Sequence, residues 1–163
     1  GLFGLNARVL TATQGRAIMH HTFERYEPMR GSIPDRGAGV MIASETGIVT
    51  AYALDALYER GFFFVRPGDR VYEGQVVGEH CKDNDIVVNV TKAKALTNMR
   101  TSSKDDAARI RPARIMSLEA HLEYVQHDEL VDICPNSIRL RKRLLQEGQR
   151  RRAARLGVDA VLR

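Results

Sequence analysis

Lys92 to Asp106, reading KAKALTNMRTSSKDD, sets cations and polar donors in close alternation. Lys92, Lys94, Arg100 and Lys104 stand against Asp105 and Asp106, with Thr97, Asn98, Thr101, Ser102 and Ser103 between them. Charge combined with directional hydroxyl and amide hydrogen bonds suits phosphate and sugar oxygens. Only Leu96 and Met99 are larger apolar groups, and neither a strand period nor a helix period runs through the stretch, so it predicts a loop. A polyanion-binding loop and a solvated surface loop both fit this composition.

No other set of residues assembles into an active site. There is no GxxxxGK[ST] phosphate loop and no GxSxG elbow, and Arg36-Gly37-Ala38-Gly39-Val40 falls short of GxGxxG. His20 and His21 are adjacent, so on a strand they point to opposite faces and cannot share one metal without distortion. His80 beside Cys81 lacks partners at zinc-site spacing, and Asp105-Asp106 and Asp128-Glu129 read as solvated charges. No cofactor, metal or catalytic role is expected of these residues. Pro67 to Val77 resembles the GD-x-V-x-x-G turn of lipoyl and biotinyl carrier domains, but the modifiable lysine hairpin of those domains has no counterpart. Shared turn chemistry explains that resemblance.

Charge narrows the partner. The 163 residues carry a formal net charge of +5, and 44% hydrophobic content is globular composition. Arg139 to Arg163 holds nine Lys or Arg against Glu147 and Asp159, and Lys92 to Arg114 holds seven against two acids. Two basic islands favour a polyanion, of which nucleic acid is the commonest. The alternative is a protein-interaction module with a solvated basic tail. No apolar run approaches a membrane span, and Cys81 and Cys134 without CxxC spacing suggest a reduced, cytoplasmic protein, with a disulfide left open. Gly1 in place of Met suggests a processed or partial chain.

The elements that must position these islands read as α+β. Leu2, Leu5, Val9 and Ala12 predict a helix stopped at Gly15, and Ala17 to Tyr26 predicts a strand. Pro28 to Gly37 is a linker, so residues 1–27 look like the end of one domain and 28–163 like a second. Val40–Ile42 and Ile48–Tyr52 read as a hairpin through Gly47, followed by a helix over Ala53–Arg60 and strands at Phe62–Val65, Val71–Glu79 (interrupted by Gly74 and Gly78) and Ile86–Val90. Ser117 caps a helix carrying Leu118, Leu122 and Val125, and Leu130–Cys134 with Ile138–Leu140 form a hairpin. An arginine-rich helix ends the chain.

Four stretches together carry a family resemblance. Thr11 to Tyr26 (TATQGRAIMHHTFERY) resembles the last helix and strand of the fifth domain of elongation factor G. Val71 to His80 (VYEGQVVGEH), Leu96 to Arg100 (LTNMR) and Asp128 to Lys142 (DELVDICPNSIRLRK) are similar to the C-terminal region of the BipA/TypA family of ribosome-binding translational GTPases. The resemblance implies that residues 1–27 end a ferredoxin-like domain, followed by a β-rich domain of antiparallel strands with flanking helices and a long basic loop. It implies that GTP and magnesium belong to a GTPase domain outside this sequence. It implies as partners the ribosome, large-subunit rRNA and A-site tRNA, with no membrane and no DNA, and a role in translation, stress response or large-subunit assembly. Lys92, Lys94, Asn98, Arg100, Lys104, Arg139, Arg141, Lys142 and Arg143 are then the RNA-contact candidates. Many relatives carry two lysines before LTNMR, where this chain has Lys94-Ala95 and so one cation fewer. Ordering the loop costs about 1–2 kcal/mol per residue, so it is expected to be mobile when free.

Overall fold

Two apolar faces on one sheet organise this chain, and they follow from the alternation of its central strands. A computed structural model describes residues 5–28, 36–94 and 111–157. Strand β1 (Val40–Ala43) is buried along its whole length. Its Val40 and Ile42 pack on one face with Val76 and Leu140, while Met41 and Ala43 pack on the other with Leu54, Phe63, Val77 and Val88. A strand covered on both faces reads as a continuous apolar run, as VMIA does.

Among the described residues the chain runs α1 (Leu5–Ala12), β1, β2 (Gly47–Ile48), α2 (Ala51–Ala56), a 3₁₀ turn (Tyr58–Arg60), β3 (Gly61–Phe63), β4 (Arg70–Val71) and β5 (Gln75–His80). It continues through β6 (Ile86–Val88), α3 (Leu118–Tyr124), β7 (Glu129–Cys134), β8 (Ser137–Lys142) and α4 (Glu147–Leu156). The main sheet has the order β6-β1-β5-β8-β7, with β3 also on β5, and β2 pairs with β4 in a small second sheet. Its pairings are antiparallel except β1 with β6, which is parallel. Helix α2 covers one face through Leu54, and α3 covers the other through Tyr124, whose ring meets Phe64 edge-on at 5.5 Å.

Two glycines permit the close approaches this requires. A Cβ on Gly78 would lie 2.4 Å from the Phe62 carbonyl oxygen, so only glycine lets β3 lie against β5. Gly74 sits at φ +83° where a Cβ would meet Leu145, and its carbonyl accepts from the Lys142 N–H at 2.9 Å.

The mixed α+β class, the Ser117-capped helix, the β7–β8 hairpin and the terminal helix are as the sequence predicts. Four expectations change. β1 and β2 do not form a hairpin: β1 is central and pairs with β5 and β6, because both of its faces and both of its edges need cover. Thr50 does not lie within a strand running to Tyr52 but is the N-cap of α2, its hydroxyl accepting from the Ala53 N–H at 3.1 Å. The run from Val71 to Glu79 is interrupted at Gly74 as expected but not at Gly78, which lies inside β5. Ala17–Tyr26 forms no strand and has no sheet partner among the described residues, leaving Ile18, Phe23 and Tyr26 exposed. Cys81 and Cys134 are free thiols.

Candidate nucleic-acid interface

Both described flanks of the basic stretch are fastened to the segment from Thr50 to Phe63. On the entry side the Thr50 N–H donates to the Val90 carbonyl at 3.0 Å, and its hydroxyl donates to the Lys92 carbonyl at 2.6 Å. The Glu45 carboxylate accepts from the Thr91 hydroxyl and from Asn89 Nδ2 at 2.8 Å. Those hydrogen bonds, Thr91 first, hold Glu45 below its ordinary pKa. On the exit side the Arg111 guanidinium lies over the Tyr58 ring at 4.2 Å and the Phe62 ring at 5.0 Å. The Arg114 N–H then donates to the Phe63 carbonyl at 2.8 Å.

Lys92 and Lys94 are exposed on the entry stem. Asn98, Arg100 and Lys104, and the expectation of mobility, lie outside the described residues. The remaining candidates belong to β8 or follow it, and they do not form one surface. Arg139 is half-buried and Arg143 exposed. Arg141 Nε donates to both oxygens of Asp132 at 2.9 and 3.0 Å, and the Tyr72 hydroxyl donates to Asp132 Oδ2 at 2.7 Å. Burial alone would raise Asp132, but the bonds from Tyr72 and Arg141 hold it below its ordinary value. Burial and the Asp132 carboxylate together raise the Tyr72 phenol above its ordinary value.

Lys142 has a different role from its neighbours. Its side chain is 2% exposed, with Nζ at 2.7 Å from Asp85 and from Asp128 and 3.0 Å from Glu129. Glu129, with no side-chain exposure, is also gripped by both Arg36 guanidinium nitrogens at 2.9 and 3.1 Å. Arg36 further donates to the Ala38 and Tyr124 carbonyls and lies 4.3 Å from the Tyr124 ring centre. Burial pushes Glu129 up, but Arg36 and Lys142 outweigh it and hold the carboxyl low. Burial likewise pulls Lys142 down, and the three carboxylates reverse it, holding the ammonium above its ordinary value. This cluster ties the segment before β1, the turn before β6, the end of α3 and the β7–β8 hairpin together. Lys142, Glu129 and Arg36 face inward while Asp85 and Asp128 stay partly exposed, so Lys142 is a structural cation buried under its own carboxylates.

Sequence reading missed the cluster by taking Asp128-Glu129 as solvated and Arg36 as linker. One signal was present. Lys142 shares the strand face of Leu140, and register places it opposite Glu129 across the hairpin. Arg139 and Arg141 occupy the other face.

The terminal helix is also divided. Arg150 Nη1 turns inward to the Leu144 carbonyl at 2.8 Å and to the Leu145 carbonyl, and burial lowers its pKa. Arg151 pairs with Glu147 one turn earlier, while Arg152 and Arg155 stay exposed. Among the described residues no three His, Cys, Asp or Glu converge as a metal site, and no helix is long and apolar enough to cross a membrane. His80 is buried, its Nδ1 2.7 Å from the Asn84 carbonyl, as a satisfied core histidine.

The family model of the TypA/BipA C-terminal domain matches residues 38–147. The chain belongs to the TypA/BipA family. Its TypA/BipA relatives named "Large ribosomal subunit assembly factor BipA" include the Bacillus subtilis protein, 47% identical over 156 residues, which is 95% of this chain and 26% of that protein. The Synechocystis protein of the same name is 45% identical over 87% of this chain and 24% of its own length. The Escherichia coli K12 protein is 43% identical over 98% of this chain and 26% of its own. The chain thus spans about a quarter of the length of these TypA/BipA relatives.

Proposed function

We propose that this chain is the ribosome-binding, RNA-contacting C-terminal portion of a translational GTPase, acting in large-subunit assembly or translation in the cytoplasm. The observation that carries the reading is the pair of anchored stems. A basic segment is clamped at both ends to the edge of a domain whose TypA/BipA relatives are named for large-subunit assembly.

In this reading the domain docks at the A site of the large subunit. Lys92, Lys94, Asn98, Arg100 and Lys104 approach rRNA and the acceptor arm of A-site tRNA, while Arg139, Arg141 and Arg143 supply phosphate contacts from the body. Lys142 holds β8 in place instead. Residues 1–27 belong with a ferredoxin-like neighbour, a reading supported by the exposed Ile18, Phe23 and Tyr26. GTP and magnesium act in a separate GTPase domain, and no residue of this chain is assigned to them. The chain itself makes or breaks no bond; it binds and positions.

Co-sedimentation with purified large subunits at low salt tests the proposal. Binding is expected to the large subunit, weakening steeply as salt rises because counterions return to the phosphates. Binding that survives RNase digestion of the subunits would instead favour the protein-interaction module.

A further inference from the structure

We propose that an arginine-walled groove between the segment following β3 (Phe64–Arg70), β8 and residues 114–116 holds a stretch of RNA backbone, a second contact alongside the loop. The inference rests on the RNA-binding reading above and names a surface for it.

The groove exists because β5 changes partner. Gln75 and Val76 pair with Arg141 and Leu140 of β8, but from Gly78 onward the same edge of β5 pairs with β3. Ser137 to Arg139 keep β7 on one side and, among the described residues, have no strand on the other. The resulting wedge encloses about 670 Å³ over a floor of Val76 and Leu140.

Its charge is one-sided. Arg66, Arg70, Arg114 and Arg139 all line it, drawn from three separate segments of chain. Asp69 is the sole carboxylate among the described lining residues, and its Oδ2 already accepts from the Arg66 N–H at 2.7 Å. Arg114 makes an exposed 3.3 Å pair with Glu79, and Arg66, Arg70 and Arg139 pair with no carboxylate among the described residues. Guanidinium groups grip phosphate in bidentate fashion, and a concavity lined by one sign of charge concentrates the field along it. Exposed Ile115 and Ile133 line the same groove, where they can meet ribose and base faces. The wall from Arg114 to Met116 follows Arg111, the described exit flank of the basic stretch, by three residues.

The other conceivable occupant, an acidic peptide adding as a strand to β8, would place its charges along one line. Cations on both walls fit a phosphate backbone crossing the groove better. The test is binding of the 163-residue chain to large-subunit rRNA stripped of protein, beside binding to intact subunits. Arg66, Arg70 and Arg139 are replaced together by Ala, and in a second variant by Lys, with thermal melts confirming that both fold. The triple Ala variant is expected to bind stripped rRNA about tenfold or more weakly, with the salt slope reduced by about 2, near 0.7 per lost contact. The Lys variant should lie between it and the unaltered chain.

Unchanged affinity and slope in the Ala variant, while loop substitutions still weaken binding, would overturn the groove and leave the RNA-binding reading standing. Loss of intact-subunit binding without any binding to stripped rRNA would make the occupant a protein and overturn the proposal. An unaltered chain that binds neither subunits nor rRNA would overturn both readings.

Discussion

Lys142 and Arg139 lie three residues apart on one strand, yet they belong to opposite kinds of site. Lys142 faces inward with Asp85, Asp128 and Glu129 around its ammonium, and Arg139 faces an open groove with three other arginines. The inward cluster ties the fold together, and its cations, Lys142 and Arg36, are buried against carboxylates. The outward arginines stabilise little, since exposed ion pairs contribute about 0–1 kcal/mol, and so remain available for a polyanion. Position on the pleat, rather than residue type, decides which cations are buried and which reach the surface.

The comparison breaks most sharply at Glu129. Glu129→Gln leaves Arg36 and Lys142 facing a neutral amide in a buried site, and is expected to cost about 3–5 kcal/mol in urea unfolding. RNA affinity of the molecules that stay folded should not change. The pH dependence follows from the same site. The folded Glu129 pKa lies below its ordinary 4.5, so its contribution is complete above that value and disappears as pH falls through the folded value. Acid titration of stability should therefore be shallower in the Gln variant than in the unaltered protein.

Smaller effects sharpen the other half of the comparison. Thr50→Ala removes the cap of α2 and the bond to the Lys92 carbonyl, with an expected loss of about 1 kcal/mol by thermal melting. It should also accelerate amide exchange at the entry stem around Thr91 and Lys92. Tyr72→Phe removes a hydrogen bond from Asp132 and is expected to cost about 0.5–1 kcal/mol. Carboxyl NMR should show Asp132 rising toward its ordinary pKa while the β7–β8 hairpin survives on its own ladder.

Local signals in the sequence survived folding well where they were self-contained. The Ser117 cap and the Cys134–Ser137 hairpin turn needed no distant partner. The β1–β2 hairpin failed because strand pairing is a long-range choice. Four buried residues in β1 demanded neighbours on both edges, and those came from β5 and β6, more than thirty positions onward. For the interface, the basic stretch was visible by composition, and its stems were not. Thr50, Tyr58 and Phe62 acquire their roles only once α2 and β3 bring them to Lys92 and Arg111. The arginine groove was equally hidden, because its four cations are scattered over Arg66 to Arg139 and meet only where β3 displaces β8 from β5.

The division between inward and outward cations has one most direct test. Large-subunit binding is measured across a salt series for the unaltered chain, for Lys94, Asn98, Arg100 and Lys104 replaced together by Ala, and for Lys142→Met under conditions where it is folded. The loop variant is expected to bind more weakly, with its slope of log affinity against log salt reduced by about 2 to 3 as up to three cationic contacts vanish. Lys142→Met should keep the original slope. An unchanged slope in the loop variant, or a reduced one in the folded Lys142 variant, would contradict the assignment of outward cations to RNA and inward cations to the fold.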